Sequence, residues 1–494
     1  MKTNVKRSVS TIAVAPVTHE GAPASKISNE LQLRRSVMAC LLWEYNFYED
    51  GTTIADRIKG LIKSVNPETV AMMAIEARED MKLRHIPLFL VREMARLETH
   101  RHLVSDTLER VIQRADELSK FMAIYWKDGR QPLSSQVKKG LARAFTKFDE
   151  YALGKWDKDG SVKLKDVLFL SHARPVDKAQ EKLWKKLAAG TIATPDTWEV
   201  ALSASQGENK KAVWTRLLKE GKVPPFAFIK NLRNMEQAGV EKSLVRETFA
   251  TLKTERLLPF NFVTAARYCP QYEPELGTAM LKCLEGVEKI PGKTILLVDV
   301  SGSMDSPLSG KSETNCRDAA SGLAILAQEM FEDVEIFTFS NNTVFVPARH
   351  GFALRDAVVN SQGHGGTDLG GAVKYVNGKY KYERVIVITD EQANSRNSIP
   401  EPTGKGYVIN VSTNKNGVGY GAWTHIDGWS EHVINYITTV EGIKLVAKKT
   451  LEPLKFHGKV KVVAKIPIQA EKAGHKNGYR ANVLKKTRKT SKRK

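Results

Sequence analysis

Apolar side chains recur at helical spacing from about Ile27 to Glu288, with a turn signal roughly every 15 to 20 residues. One such face consists of Val70, Met73, Ala74 and Ala77. Alternating strand patterns are almost lacking here, and the linkers are short. Serial helices with short turns predict stacked antiparallel pairs in a repeat array.

Two tripeptides carry signals for helix starts. Asn66-Pro67-Glu68 combines a capping side chain, a proline for the first helical position and an early acid. Thr194-Pro195-Asp196 repeats that pattern. Each is therefore predicted to begin a helix.

The pattern changes at Pro291-Gly292-Lys293, where apolar runs begin to alternate with helical segments. The predicted strands are Thr294–Val300, Val334–Phe339, Arg384–Thr389 and Tyr407–Val411, with weaker ones at Leu445–Ala447 and Val460–Val463. The predicted helices are Asp318–Phe331, Arg355–Asn360 and Glu431–Ile437. Alternating strands and helices predict a doubly wound parallel sheet, with ligands at the carboxyl ends of its strands.

These patterns divide the chain into five parts. A flexible N-terminus is predicted for residues 1–26, a helical-repeat domain for 27–290 and an α/β domain for 291–445. An extension of uncertain structure covers residues 446–471, and a basic disordered tail covers 472–494.

The formal net charge of +21 is unevenly distributed. Residues 1–290 hold 47 Lys and Arg against 36 Asp and Glu, and residues 291–471 hold 19 Lys and Arg against 19 Asp and Glu. The tail holds 10 Lys and Arg and no Asp or Glu. A polyanionic partner is therefore expected to meet the helical domain and the tail.

The four cysteines form no C-x-x-C pair, and no apolar run approaches the roughly 20 residues that cross a bilayer. These features predict a cytoplasmic protein with reduced thiols and no membrane partner.

Oxygen-bearing side chains cluster where the first strand ends, at Asp299, Ser301 and Ser303. Thr367 and Asp390 follow in later loops, Asp390 at the end of another strand. Such hard ligands suit Mg²⁺ or Mn²⁺. Two carboxylates leave the cation incompletely satisfied, which predicts capture of an outside carboxylate, as on an acidic protein, rather than catalysis.

Three motifs together resemble the metal-ion-dependent adhesion site of von Willebrand factor A domains. They are D-x-S-x-S at 299–303, G-G-T-D at 365–368 and T-D at 389–390. The resemblance implies that all five side chains are metal ligands, with Asp390 able to act through water.

Basic residues concentrate between Arg130 and Lys186, with 14 Lys and Arg against 7 Asp and Glu. Such a surface binds phosphates, and the alternative is a solvated helix face. Aromatic side chains interleave with these charges, as core residues or as platforms for unpaired bases, at Trp126, Phe145, Phe148, Tyr151 and Trp156.

Three segments resemble the TROVE module of Ro autoantigens, namely Asp166 to Pro175, Phe228 to Met235 and Leu258 to Phe262. Together with the adhesion motif they match the Ro family over roughly residues 27–440. The resemblance implies HEAT-type helical repeats closed into a ring by the A-like domain. It further implies binding of small structured Y RNAs and of single-stranded ends of defective RNAs.

Carried over by motif position, Lys138, Lys139 and His172 fall in the RNA-contacting region. For His172, a role in fixing a helix start is the alternative. Arg143 joins them from the basic cluster, and Arg174 and Lys178 from proximity and charge.

The leading hypothesis is a non-enzymatic RNA scaffold in RNA metabolism or quality control, which presents RNA ends to an exoribonuclease. The alternative is a metal-dependent adhesion module for acidic proteins. A third hypothesis is a metal-dependent nuclease, although no carboxylate cluster or nucleophile with a paired base is evident.

Overall fold

The computed structural model describes residues 25–443, except for 27, 40–50, 80, 82, 158–159, 206–209, 255–256, 258, 286–287, 309–313, 394–398, 413–417, 420–421 and 429–431. The predicted N-terminal segment up to residue 24, the extension from 446, the basic tail and the two weak strands lie outside the described residues, as does Cys40. No helix in the described ranges is long and apolar enough to span a bilayer.

The first part of the chain is helical, as predicted, after a short strand β1 (Ser25–Lys26). Its helices are α1 (Asn29–Ala39), α2 (Gly51–Ile62), α3 (Pro67–Glu79), α4 (His85–Arg96), α5 (Val104–Val111), α6 (Ala115–Tyr125), α7 (Ser135–Phe145), α8 (Glu150–Trp156), α9 (Leu164–Ser171), α10 (Lys178–Ala189), α11 (Trp198–Ala204), α12 (Lys210–Lys219), α13 (Pro225–Lys230), α14 (Leu232–Gln237), α15 (Lys242–Ala250), α16 (Pro259–Tyr268) and α17 (Glu273–Leu284).

The second part alternates strands and helices, which confirms the predicted α/β class. Its elements are β2 (Ile290–Asp299), α18 (Cys316–Met330), β3 (Phe331–Phe339), β4 (Thr343–Val346), α19 (Gly351–Val359), α20 (Leu369–Lys379), β5 (Arg384–Thr389), β6 (Lys405–Asn410), β7 (Val418–Gly419), β8 (Trp423–Asp427) and α21 (His432–Glu441).

Six strands form one sheet in the order β4-β3-β2-β5-β6-β8, in which only β4 runs antiparallel to its neighbour. Both faces carry buried apolar side chains, with α18 on one face and α20 on the other. The sheet is therefore doubly wound. Strands β1 and β7 pair antiparallel outside it, so Ser25 and Lys26 form a strand rather than belonging to a flexible N-terminus.

One of the two predicted helix starts is correct. Asn66 Oδ1 accepts hydrogen bonds from the backbone N–H groups of Glu68 and Thr69, and α3 begins at Pro67. The second helix begins later than predicted, at Trp198, where Thr197 is the cap. Asp196 instead pairs with Lys222 at 2.6 Å.

The last helices before the sheet share a continuous core with it. Buried side chains of α12 to α17 and one face of the sheet belong to one apolar cluster. Gly322 of α18 makes this close approach possible, because a Cβ there would lie 2.8 Å from the ring of Phe260 in α16. The helical region thus packs on the α/β domain at its C-terminal end.

The first helix contacts the same domain from the other end of the array. Met38 of α1 lies 3.8 Å from the Cβ position of Gly428, which follows β8. The guanidinium of Arg34 lies 5.8 Å from the ring centroid of Tyr436 in α21. Because α1 and α16 both reach the α/β domain, the array is closed through that domain.

Candidate metal and nucleic-acid sites

Four of the five predicted metal ligands meet at the carboxyl edge of the sheet, and the fifth, Thr367, lies in a loop that is hydrogen-bonded to this edge. Asp299 is the last residue of β2, and Asp390 directly follows the neighbouring strand β5. Thr367 is 7% exposed in the loop before α20. That loop is hydrogen-bonded to the loop that follows β2, because the Gly302 amide donates to the Gly365 carbonyl at 3.1 Å.

Hydrogen bonds hold the two carboxylates and the hydroxyls together. Asp299 Oδ1 accepts from the Ser301 amide at 2.8 Å, and its Oδ2 accepts from the Thr389 hydroxyl at 2.6 Å. The hydroxyls of Ser301 and Ser303 lie 3.2 Å apart, and the Ser303 side chain bonds to Asp390. The structure therefore brings Asp299, Ser301, Ser303 and Asp390 into one constellation.

Both carboxylates are in an environment that disfavours their charge. Burial raises the pKa of Asp299, although hydrogen bonds from Ser301 and Thr389 oppose the shift. Burial, and then the charge of Asp299, raise the pKa of Asp390 to about 7. Two buried like charges need a cation or a proton beside them.

The donor set fits a hard divalent cation. Asp299 and Asp390 are fully buried, and Asp390 Oδ1 has no hydrogen-bond partner among the described residues. An uncompensated buried oxygen is costly, and a metal ion would compensate it. No group of three or more His, Cys, Asp or Glu side chains suited to a metal occurs in the described ranges, so hydroxyls would complete the ligand set.

Sequence reasoning missed three side chains that position this site. The Thr389 hydroxyl donates to Asp299, Arg317 donates to the Ser301 carbonyl at 3.0 Å, and Gln392 donates to Asp390 Oδ2 at 3.1 Å. Thr389 and Gln392 flank Asp390 and could have been considered. Arg317 carries no such signal, because it reaches back from α18.

The predicted basic surface separates into cations with and without acidic partners. Those that make ion pairs are Arg143, Lys155, Lys185 and Lys186. Exposed cations that form no ion pair within the ranges described above include Arg130, Lys139, Arg174, Lys178 and Lys182. Cations of this second group leave their charge available to a phosphate.

Arg143 is less accessible to RNA than its place in the basic cluster implied. Its guanidinium donates to Asp106 Oδ1 at 2.6 Å and lies 3.4 Å from Glu109 Oε2, so it links α7 to α5. The clustering of charge along the chain could not reveal these partners in an earlier helix. A direct RNA contact by Arg143 stays a prediction.

Lys138 and His172 lie together, as the motif positions suggested. Lys138 Nζ is 3.4 Å from Nε2 of His172, across α7 and the end of α9. His172 ends a helix with φ of 54°, so the alternative that it fixes a helix start is wrong. Exposed Arg174 and Lys178 follow it closely in the chain.

The interleaved aromatic residues mostly belong to the core. Phe145 and Phe148 are buried, and Trp156 is covered by Arg114, whose guanidinium lies 3.9 Å from its ring centroid. Tyr151 is exposed, and half-buried Trp126 lines an open groove. Phe169, which is not among the predicted site residues, is 62% exposed beside the same groove.

Comparison with known proteins identifies two domains. The family model of the TROVE domain matches residues 178–284, and that of the Ro60 vWA domain matches residues 293–412. The chain therefore combines a TROVE domain with a vWA domain of the Ro60 type, as the motifs implied.

The crystal structure of the Deinococcus radiodurans RO (RSR) protein has a similar fold, with a TM-score of 0.58 and 17% sequence identity. The match covers 83% of this chain and 99% of the Deinococcus chain. No curated protein matches the sequence. Lys138, Lys139, Arg143, His172 and Arg174 precede the matched TROVE stretch, so their RNA contacts remain predictions.

Proposed function

We propose that this protein is the RNA-binding scaffold of a small noncoding-RNA ribonucleoprotein. It would hold a structured, Y-like RNA and the single-stranded ends of structured or misfolded RNA, in RNA metabolism or quality control. One observation carries the proposal. Lys138 and His172 lie together, and exposed cations that form no ion pair among the described residues are close to them in sequence, at Lys139, Arg174 and Lys178.

The arrangement suits a phosphate backbone better than an acidic protein. Phosphate oxygens occur at regular spacing along RNA, and each contacting cation adds a salt-dependent contribution to affinity. The α/β domain, residues 291–445, holds 13 Lys and Arg against 17 Asp and Glu, whereas the helical part carries an excess of cations. We therefore assign the RNA to the helices.

The proposed role is non-enzymatic and cytoplasmic. The protein would position RNA, and a separate exoribonuclease would degrade it. Only two carboxylates gather at the candidate cation site in the described ranges, whereas phosphoryl transfer commonly uses further acids or a second metal.

Asp299, Ser301, Ser303, Thr367 and Asp390 would hold one Mg²⁺ or Mn²⁺. When bound, the cation would supply a Lewis-acidic docking point for an outside carboxylate. The alternative function, adhesion of an acidic partner protein, is favoured by the unpartnered Oδ1 of Asp390.

Crosslinking in cells, followed by sequencing of bound RNA, tests the leading function. We expect enrichment of small structured RNAs. If no small RNA is enriched, the adhesion function is favoured instead. In vitro, replacing Lys138 and Lys139 by Glu should weaken RNA binding, more at low salt than at high salt. Reversal of Lys374 and Lys379 to Glu, at two exposed positions of α20, changes the net charge by the same amount and serves as the control.

Prolonged incubation with RNA and Mg²⁺ tests the nuclease alternative. We expect intact RNA. Cleavage that disappears on Asp299→Ala would show instead that the cation site is catalytic.

A further inference from the structure

An open groove lies beside the Lys138–His172 pair. It consists of two adjoining recesses, each of about 500 Å³, which share Trp126, Arg130, Phe169 and Leu170. This volume lies within the range of about 300–1,000 Å³ that is usual for small-ligand sites. Lys138 and His172 line one of the two recesses.

Phe169 is the unusual side chain of this groove. It lies in α9 after buried Val167 and Leu168, yet 62% of its surface is exposed. Exposing most of a phenyl ring forgoes apolar burial. The ring is therefore available to a flat apolar partner that arrives from solvent.

Trp126 adds a second aromatic ring whose position is fixed. Its indole N–H donates to the Gln131 carbonyl at 2.8 Å, and its apolar part packs against the helical core. The guanidinium of Arg130 lies 4.9 Å from the Trp126 ring centroid, and Arg130 itself is exposed. Two aromatic rings and a planar cation thus border one groove.

The charges around the groove favour a polyanion as its occupant. Arg130 and Lys138 line it, and neither forms an ion pair among the described residues. Asp166, the one acid among the described lining residues, accepts a hydrogen bond from the Lys163 amide at the start of α9. An apolar floor with a cationic rim matches a nucleotide, whose base stacks while its phosphate faces the cations.

We propose that this groove holds an unpaired RNA base, stacked on Phe169 between Trp126 and the Lys138–His172 pair. The proposal rests on the proposed function and refines it: Lys138 and its cationic neighbours hold the backbone, and Phe169 selects RNA that has an unpaired nucleotide at this place. Paired bases lack a free face, so duplex RNA would use the cations alone.

The experiment compares two labelled hairpin RNAs, one with a short unpaired tail and one with a blunt end. Phe169→Ala should weaken binding of the tailed hairpin about tenfold, or about 1.4 kcal/mol, and leave the blunt hairpin unchanged. Phe345→Ala removes a ring of similar exposure, 53%, from the sheet edge and serves as the matched control.

Fluorescence of 2-aminopurine in the tail reports stacking directly, because stacking quenches it. The wild type and Phe169→Trp should quench the probe, whereas Phe169→Leu, which is apolar but not aromatic, should not. Phe169 is exposed, so these variants are expected to fold.

The outcomes separate the two proposals. If Phe169→Ala binds the tailed hairpin as the wild type does, or if Phe169→Leu still quenches the probe, the base site is wrong. Loss of binding on replacement of Lys138 and Lys139 would then still support the RNA scaffold. If the wild type binds neither hairpin, the proposed function itself fails.

Discussion

Arg35 and Glu391 form a buried ion pair between the first helix and the α/β domain. Nη2 of Arg35 lies 2.8 Å from Oε2 of Glu391, and the side chains are 3% and 2% exposed. His425 of β8 bonds to the other carboxylate oxygen. Glu391 directly follows Asp390, so this contact joins α1 to the edge of the candidate cation site.

Removing the cation of this pair should destabilise the protein strongly. Burial alone would raise the pKa of Glu391, but Arg35 and His425 outweigh it and lower the pKa to about 2. Arg35→Met would leave a buried charge with less compensation, at a cost of about 3–5 kcal/mol in the free energy of unfolding. Urea denaturation measures this.

Lys211→Met is the control, because Lys211 pairs with Glu241 on the surface, where their side chains are 50% and 68% exposed. We expect its effect to stay below about 1 kcal/mol. Equal losses for the two variants would show that burial of the Arg35 pair is unimportant.

Magnesium should stabilise the fold through the five proposed ligands. A ligand at about a hundredfold excess over its Kd adds about 2.7 kcal/mol to the free energy of unfolding. Differential scanning fluorimetry with and without Mg²⁺ should show an upward shift in Tm that Ser301→Ala diminishes. Asp356→Asn, an exposed acid of α19, should retain it.

The effect of Asp390→Asn on stability should have opposite signs without and with the metal. In chelator-treated buffer, Asp390→Asn should stabilise the protein, since it removes a buried carboxylate whose pKa is raised by burial and by Asp299. With Mg²⁺ the same variant should be less stable than the wild type. A Tm below that of the wild type under both conditions would contradict electrostatic repulsion at this site.

His172 should lower the stability of the fold while it strengthens RNA binding. Its φ of 54° is in the left-handed region, which costs a non-glycine residue roughly 1–2 kcal/mol. His172→Gly should therefore raise the free energy of unfolding by about 1 kcal/mol while it weakens RNA binding. His172→Ala keeps the strained backbone and should lose affinity without becoming more stable.

Gly322 should tolerate no side chain. In Gly322→Ala the new methyl would meet the Phe260 ring at 2.8 Å, and such overpacking costs about 1–3 kcal/mol. Gly378 of α20 has no atom within 4 Å of its Cβ position, so Gly378→Ala should stabilise by about 0.5–1 kcal/mol. Chemical denaturation of both variants tests the close approach, and unaltered stability of Gly322→Ala would argue against it.

The central strands could be predicted because both of their faces are buried. Arg384–Thr389 is predicted with its exact bounds, and β2 reads as a nearly continuous apolar run. The edges were harder. Strands β4 and β8 were missed because they are short, and α20 because three glycines in 11 residues obscure its helical pattern.

The candidate sites differ in how far sequence determines them. Metal ligands follow strand ends, so alternate residues such as Asp299 and Ser301 indicate a metal site from the local sequence alone, without knowledge of their tertiary neighbours. Charged surfaces depend on tertiary neighbours, as Arg143 shows by pairing with Asp106. Phe169 stands in the apolar run from Val167 to Leu170, and only the packing of α9 shows that it faces outward.

The core shared by α12–α17 and the sheet bears on how the protein can be divided. The described residues between 25 and 443 belong to one compact unit, although the pattern along the chain changes near residue 290. A fragment truncated at that change would leave Phe260 and its neighbours facing water. Such a fragment should aggregate on expression, and heating the intact chain should melt helices and sheet in a single cooperative transition.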